Sequence, residues 1–312
     1  MRYLVLFMKG LLMGGADLIP GISGGTVALI TGIYEELLET INSISWKTFS
    51  KIKAIGIKLV WEKINGNFLT AVLSGVLTSI ILFSWVFEWL LKNEKIALWS
   101  FFFGILLASF VFLLRIEIQK KTFSLISLLI GIPISYQISK ISPNPVDVDT
   151  LWYIFLAGFF GISAMILPGL SGAYILLLMG VYQTILANFR QLLGLIIDFN
   201  NEIFTKVTPV LGVFFFGIIF GIKFFSKFLT FLLKKYPKNT MSFLIGLMIG
   251  ALNKVWPWRN NVNETYSDLQ MLSVLPQNYN GGDPELNKAV AFAFLGFIII
   301  FGLQKVKSFF EK

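Results

Sequence analysis

The most constraining feature of this sequence is a short helix-breaking motif, Pro-Gly-x-Ser-Gly, that occurs twice inside apolar segments. It covers residues 20–24 and again 168–172, so the copies lie 148 residues apart. Aligned without gaps, 10–34 and 158–182 share nine identities among 25 pairs. Proline ends a helix because it lacks an amide hydrogen, and glycine then permits backbone conformations that other residues avoid. Matching breaks in two apolar segments are typical of binding sites in membrane transporters.

Composition places both copies in a membrane. Hydrophobic residues make up 56% of the chain and charged residues only 14%, whereas soluble domains carry about a quarter charged residues. Several apolar runs approach the ~20 residues that span a bilayer as a helix. The sequence therefore predicts an all-α polytopic membrane protein. The net charge of +9 is expected to reflect lysines in cytoplasmic loops, so a membrane, and no nucleic acid, is the expected partner.

Neither cysteine nor histidine occurs in the chain. Disulfides, thiol nucleophiles, Cys/His metal sites and Ser-His-Asp triads are therefore excluded. A carboxylate metal site or a Ser-Lys pair stays formally open, but no suitable cluster is visible in the sequence. The expectation is a protein that is not an enzyme and that uses no cofactor and no metal.

The breaks divide the chain into two halves, residues 1–141 and 142–312, and each half begins with a motif unit, 3–41 or 151–189. The arms on either side of a break are only about 16 residues, or ~24 Å of helix, which is shorter than the ~30 Å hydrocarbon core. Each unit is therefore predicted to be a re-entrant hairpin; one or two tilted, kinked spans are the alternative. Three transmembrane helices are predicted to follow in each half, near 68–91, 97–114 and 122–139, and near 209–233, 240–254 and 288–304.

Loop charges indicate how the halves are oriented. Residues 42–67, after the first hairpin, carry five lysines and one glutamate, which places them in the cytoplasm by the positive-inside rule. Residues 255–287, in the second half, carry four acidic residues and one arginine, which places them outside. Both termini are then cytoplasmic, and the second half is inverted relative to the first. The predicted fold class is an inverted repeat in which each half has a re-entrant helical hairpin and three transmembrane helices.

Backbone groups that are freed at a break inside hydrocarbon must find partners or line a water-filled cavity. A helix that restarts after the break presents unpaired amides and the positive end of its dipole, which favour an anion such as phosphate. The alternative is that the motifs only kink helices for close packing. The predicted helix breaks are Pro20, Gly21, Pro168 and Gly169. The predicted substrate-binding residues are Ser23, Gly24, Gly25 and Thr26 in the first motif and Ser171, Gly172, Ala173 and Tyr174 in the second.

Two charged residues in apolar surroundings are further candidates, because charge inside a membrane is costly and tends to be functional. Asp17 precedes the first break and is replaced by Met165 in the second copy. It is predicted either to support the broken backbone through a hydrogen bond or to carry a coupling proton or cation, and the sequence favours neither. Lys223 lies in the predicted span 209–233 and is predicted to neutralise a bound phosphate; snorkelling toward the cytoplasm is its alternative role.

The motif residues resemble those of a known family. Segments 15–26 and 32–35, together with 163–172 and 180–182, are similar to the two signatures of the bacterial polyprenyl-phosphate (undecaprenyl-phosphate) transporters, formerly a domain of unknown function. Ala173 stands where a serine is expected, so that hydroxyl is not essential here. The resemblance implies that the protein moves undecaprenyl phosphate across the bacterial plasma (inner) membrane. It would return the carrier lipid for cell-envelope synthesis by alternating access at a midplane phosphate site.

Other functions compete with this one. A transporter or channel for a soluble anion would use the same motifs with a cavity closed to lipid. An enzyme acting on lipid phosphates would need a nucleophile or metal set that the sequence does not show, and a structural scaffold would tolerate loss of both motif serines. The residues leave open the coupling ion, the oligomeric state and the preferred chain length of the lipid.

Overall fold

The computed structural model describes residues 2–17, 23–45, 48, 50, 52–141, 150–195, 199–261 and 271–310. Nearly all regular structure in these residues is α-helical, which confirms the predicted all-α class. The helices are α1 (Arg2–Asp17), α2 (Gly24–Ile30), α3 (Tyr34–Ser43), α4 (Ile52–Lys63), α5 (Gly66–Asn93), α6 (Lys95–Gln119), α7 (Leu125–Lys140), α8 (Leu151–Ile166), α9 (Gly172–Leu178), α10 (Tyr182–Gly194), α11 (Asn201–Lys235), α12 (Pro237–Ala251) and α13 (Leu286–Phe310). Between α12 and α13 lie a short antiparallel hairpin, β1 (Arg259–Asn261) and β2 (Met271–Ser273), and a 3-10 turn at Pro276–Asn278.

Several helices have the length and apolarity that a membrane protein needs. Among the described residues, α5, α6 and α11 are each long and apolar enough to cross a membrane. Helices α9 and α10 meet the same criterion as a pair but are bent by 112°. On α11, the side chains of Phe216, Phe220 and Phe224 are all more than half exposed. An exposed apolar surface of this kind suits lipid better than water, as the composition predicts.

Each predicted transmembrane segment falls largely within one helix, but two of them overrun it by three residues: 122–139 begins before α7, and 240–254 ends after α12. The prediction extended the segment 240–254 through Lys254, whereas α12 ends at Ala251. The Lys254 amide donates to the Ala251 carbonyl at 2.9 Å, so the chain leaves the helix in a tight turn. Average hydropathy does not register such a turn, because apolar residues stand on both sides of it.

The two motif units have the same order of elements: a 16-residue helix, a break, a seven-residue helix, a turn and a third helix. We call residues 18–23 the first break and 167–171 the second break. In the first unit, Lys9 in the middle of α1 donates to the carbonyl of Thr31 at the end of α2 (2.8 Å), so α2 runs back along α1. In the second, the Tyr153 hydroxyl donates to the carbonyl of Met179 (2.9 Å), so α9 runs back along α8.

The turns that follow the two short helices also match. Gly32 and Gly180 have φ angles of 73° and 72°, in the left-handed region that glycine favours at helix C-termini. In each turn the next amide donates back five residues, to the carbonyl of Ala28 (2.9 Å) or Leu176 (3.1 Å). The sequence repeat is therefore accompanied by a repeat in local backbone structure.

Helices pair in a corresponding way in the two halves. Helix α1 packs along α5 and α8 along α11, while α6 packs along α13 and α12 along α7. The last two pairs join one half to the other. Backbones approach closely at Gly75 and Gly217, where a methyl group would overlap the facing backbone of Phe7 and Phe155. Small residues at such positions let membrane helices come together.

The largest apolar core holds the first motif unit in place. Tyr34, Leu38, Leu106, Leu244 and Met248 belong to this core and are each at most 2% exposed. They come from α3, α6 and α12. The end of the first unit is thus packed against helices of both halves, which brings Ser23 and α2 next to the second break.

Candidate functional site

At the start of α2, acceptor groups of the protein itself receive hydrogen bonds from the first backbone amides of the helix. Asp17 Oδ1 accepts a hydrogen bond from the Gly24 amide at 2.7 Å. Ser23 caps α2, because its Oγ accepts from the Gly25 amide at 3.0 Å and its carbonyl accepts from the Thr26 amide at 2.9 Å. The Asp17 carboxylate therefore lies where an external anion would contact this helix end.

The first motif unit also contacts the end of α8, just before the second break. Ser23 Oγ donates to the Met165 carbonyl at 2.6 Å, and the Tyr34 hydroxyl donates to the Ile166 carbonyl at 2.9 Å. The last carbonyls of a helix have no partner within the helix. Side chains of the first half therefore satisfy carbonyls of the second half.

A further hydrogen bond joins the turn of the second break to the first motif. The Gly169 amide donates to Thr26 Oγ1 at 2.9 Å, and Gly169 has a φ of 85°. The predicted break residues Pro168 and Gly169 both lie in this turn between α8 and α9. Pro20 and Gly21, the corresponding pair in the first motif, lie outside the described residues.

The second restarting helix has different surroundings. Ser171 directly precedes α9, yet its side chain makes no capping hydrogen bond. Within the described ranges, no acceptor contacts the amides of Gly172 and Ala173. Met165 stands where Asp17 stands in the first motif. Thus no internal carboxylate from the corresponding position contacts this helix end, and its first amides have no acceptor among the described residues.

Two other predicted binding residues contact helix ends. The Tyr174 hydroxyl donates to the Ile141 carbonyl at 2.7 Å, at the C-terminal end of α7. The Lys223 ammonium donates to the carbonyls of Ile41 and Ile44, at the end of α3. Both polar groups are engaged by backbone carbonyls in this structure. Contact with a substrate stays a prediction for each.

Sequence reasoning missed the part played by Tyr34. The only signal for it is its pairing with Tyr182 in the repeat, which says nothing about a role. The sequence cannot single out the carbonyls of Met165 and Ile166, because every residue has a backbone carbonyl. Only the packing of α3 against the end of α8 reveals them.

The chemistry of the two breaks suits an anion. They present hydroxyl groups, backbone amides and one carboxylate, and the residues described contain no group of three or more Asp, Glu, His or Cys that could hold a metal ion. Amides at a helix N-terminus, aided by hydroxyl donors, bind phosphate and similar anions.

Residues 13–271, which include both breaks, match the family model for undecaprenyl phosphate translocase-like proteins. The chain belongs to this family. The chain is 40% identical over 263 residues to a polyprenyl-phosphate transporter of Vibrio cholerae, a match that covers 84% of the chain and 80% of the relative. It is 30% identical over 261 residues to a polyprenyl-phosphate transporter of Staphylococcus aureus, covering 80% and 85% respectively. No solved structure matches it.

Replacing Asp17 with alanine is expected to lower the stability of the protein, because the Gly24 amide loses its acceptor. Loss of a capping acceptor costs about 0.5–2 kcal/mol, so the midpoint of thermal unfolding in detergent should fall by a few degrees. Asp17→Asn is the matched control, since its side-chain oxygen can still accept from the amide. An Asp17→Ala protein that unfolds at the wild-type temperature would contradict backbone support by this residue.

Proposed function

We propose that this protein translocates polyprenyl phosphate, and specifically undecaprenyl phosphate, across the bacterial plasma membrane. The observation that carries the proposal is the direct contact between the two motifs, through the Ser23–Met165 and Thr26–Gly169 hydrogen bonds. Because the motifs meet, each contributes to one region in which a phosphate can be handed from one to the other. The names of both relatives support a lipid phosphate as the substrate.

In this proposal, residues 1–141 and 142–312 form an inverted repeat, with re-entrant hairpins at 3–41 and 151–189 and both termini in the cytoplasm. The matching turns and the corresponding helix pairs support a structural repeat, and the loop charges support its inversion. Inverted repeats with broken helices at mid-depth are the usual basis of alternating access in membrane transporters.

The phosphate binds at the second break in the described conformation. The Ser171 hydroxyl and the amides of Gly172 and Ala173 are the donors that receive it. At the first break, the docked Asp17 carboxylate repels a second anion and must leave the Gly24 amide before phosphate can bind there. A coupling proton or cation at Asp17 would weaken this repulsion. The two motifs thus accept phosphate in different conformations, as alternating access requires.

An apolar cavity favours a lipid over a soluble anion as the substrate. It has a volume of about 590 Å³, lies between α7, α11 and α12, and reaches Leu167 at the second break. Its lining includes Phe225, Phe228 and Phe243, with the more polar Asn239 among the rest. A polyprenyl chain can pack against this apolar lining while its phosphate is at the break, whereas a soluble anion has no apolar part that would bind there.

Translocation is tested with purified protein in liposomes that contain undecaprenyl phosphate. A membrane-impermeant phosphatase is added outside, so that in protein-free liposomes it reaches only the outer leaflet. With the protein present, we expect hydrolysis of the inner-leaflet pool as well. Hydrolysis limited to the outer leaflet would overturn the proposal. Uptake of inorganic phosphate without lipid movement would favour the soluble-anion transporter, and phosphate release without phosphatase would indicate an enzyme.

Substrate contact at the second motif is tested by cysteine labelling, for which the cysteine-free chain provides a clean background. Undecaprenyl phosphate is expected to slow labelling of Ala173→Cys by a water-soluble maleimide, because Ala173 is partly exposed and the bound headgroup covers that position. Thr205→Cys, near the exposed start of α11, is the control and should label equally with and without lipid. Equal labelling of Ala173→Cys in both conditions would count against a binding role for this motif.

A further inference from the structure

One lysine that the sequence interpretation did not single out lies beside the second motif. Lys254 follows α12, and its Nζ lies 3.7 Å from the centroid of the Tyr174 ring. Tyr174 is the third residue of α9, and its hydroxyl is held by the carbonyl of Ile141 at the end of α7. The ring is therefore fixed in position, and the ammonium is fixed on its face. This places a positive charge next to the helix whose amides are open.

Lys254 is half-buried, yet its charge has no polar partner among the described residues. Lys223 donates to two carbonyls, Lys234 pairs with Glu39 and Lys288 pairs with Glu94. In the described part of the chain, neither a carboxylate nor a hydrogen-bond acceptor contacts the Lys254 ammonium; the Tyr174 ring is its contact. A cation withdrawn from water without an acceptor is costly, which indicates that the site is complete only with an anion.

The surroundings of Lys254 strengthen this argument. Arg259, on β1, is stacked on Trp99 at 4.3 Å from the ring. Burial, followed by the positive charge of Arg259, lowers the pKa of Lys254 to about 7. An anion beside the Lys254 ammonium would offset the repulsion that Arg259 exerts on it. A bound phosphate would also favour the charged form of the lysine.

We propose that Lys254, held on the face of Tyr174, binds the phosphate monoester of the substrate at the approach to the second break. The inference rests on the proposed function and adds a residue to its site. It supplies the cation that the open amides of Gly172 and Ala173 lack. By the loop charges, Lys254 lies at the outer side, so it would meet the headgroup of a lipid in the outer leaflet before the phosphate reaches the break.

The test is equilibrium binding of three probes to the full-length protein in nanodiscs: undecaprenyl phosphate, undecaprenol and inorganic phosphate. Lys254→Met is expected to weaken binding of undecaprenyl phosphate by about ten- to a hundredfold, the usual range for one hydrogen bond to a charged group. Lys254→Arg should stay within a few-fold of wild type because it keeps the charge. Lys206→Met removes an exposed lysine that pairs with Glu202 and serves as the matched control.

The outcomes separate this inference from the proposed function. If wild type binds undecaprenyl phosphate but not undecaprenol, and Lys254→Met binds it as tightly as wild type, the inference fails and the proposed function stands. An equal loss in Lys254→Arg and Lys254→Met would also overturn it, because charge would not be the cause. If the wild type binds no phosphate monoester, both fail. If Lys254→Met also weakens binding of inorganic phosphate, the site binds phosphate from either source. If only binding of undecaprenyl phosphate is weakened, the site is specific for the lipid headgroup. Both results support the role of Lys254.

Discussion

Replacing Gly25 with alanine is expected to reduce translocation of undecaprenyl phosphate about five- to a hundredfold. An added Cβ would lie 2.5 Å from the Ile166 carbonyl oxygen and 3.0 Å from that of Met165. Both obstacles are backbone atoms at the end of α8, so α2 must move away from the second break. Such overpacking costs about 1–3 kcal/mol, and about 1.4 kcal/mol corresponds to a tenfold change in an equilibrium. The movement would also break the Ser23–Met165 hydrogen bond.

Gly212→Ala is the matched control for this variant. Gly212 lies inside α11, and an added Cβ there has no neighbouring atom within 4 Å. Alanine also has a higher helix propensity than glycine, so the control should fold and transport like wild type. Translocation is measured in the phosphatase assay, with unfolding midpoints for both proteins. If Gly25→Ala transports as well as Gly212→Ala, contact between the two motifs is not required for function.

Replacing Lys223 with methionine is expected to destabilise the protein without weakening its affinity for undecaprenyl phosphate. The ammonium donates to the Ile41 and Ile44 carbonyls and so ties the end of α3 to α11. Hydrogen bonds from charged groups contribute about 1.5–3 kcal/mol, at the lower end here because the side chain is half-buried. We therefore expect the unfolding midpoint to fall by several degrees in detergent.

Lys227→Met provides the control, since it removes a lysine one turn further along the same helix, where the side chain is exposed. Its unfolding midpoint and its lipid affinity should both match wild type. A Lys223→Met protein of normal stability but with much weaker lipid binding would reverse our interpretation. It would return Lys223 to the role that its place in an apolar span predicts, that of a counter-charge for the phosphate.

Much of the architecture was predictable because it depends on local properties of the chain. Apolar runs of helical length predicted six segments that each fall largely within one helix. Pro168 and Gly169 predicted the interruption between α8 and α9, because proline cannot continue the backbone hydrogen bonding of a helix. Gly32 and Gly180 are paired in the sequence repeat and were therefore predicted to have equivalent places in the two halves. Both adopt nearly the same left-handed φ.

The site was less predictable, because residues with the same motif position have different partners. Ser23 caps α2 and donates to Met165, whereas Ser171 makes no such cap. The Asp17 carboxylate meets the Gly24 amide only because α2 runs back along α1. The sequence predicted two halves of one phosphate site. In the structure, the Gly24 amide contacts an internal carboxylate, whereas the amides of Gly172 and Ala173 contact no acceptor among the described residues.

The sequence by itself determined that this chain is an all-α membrane protein with two equivalent helix breaks. Apolarity, proline and glycine act on neighbouring residues, so their effects can be recognised without knowing the fold. Only the tertiary structure decided that hydrogen bonds join the two motifs, that Tyr34 binds a carbonyl of the other half, and that Lys254 lies on Tyr174. These contacts join residues that are from 80 to more than 130 positions apart, and they arise from how whole helices pack, which no local pattern records.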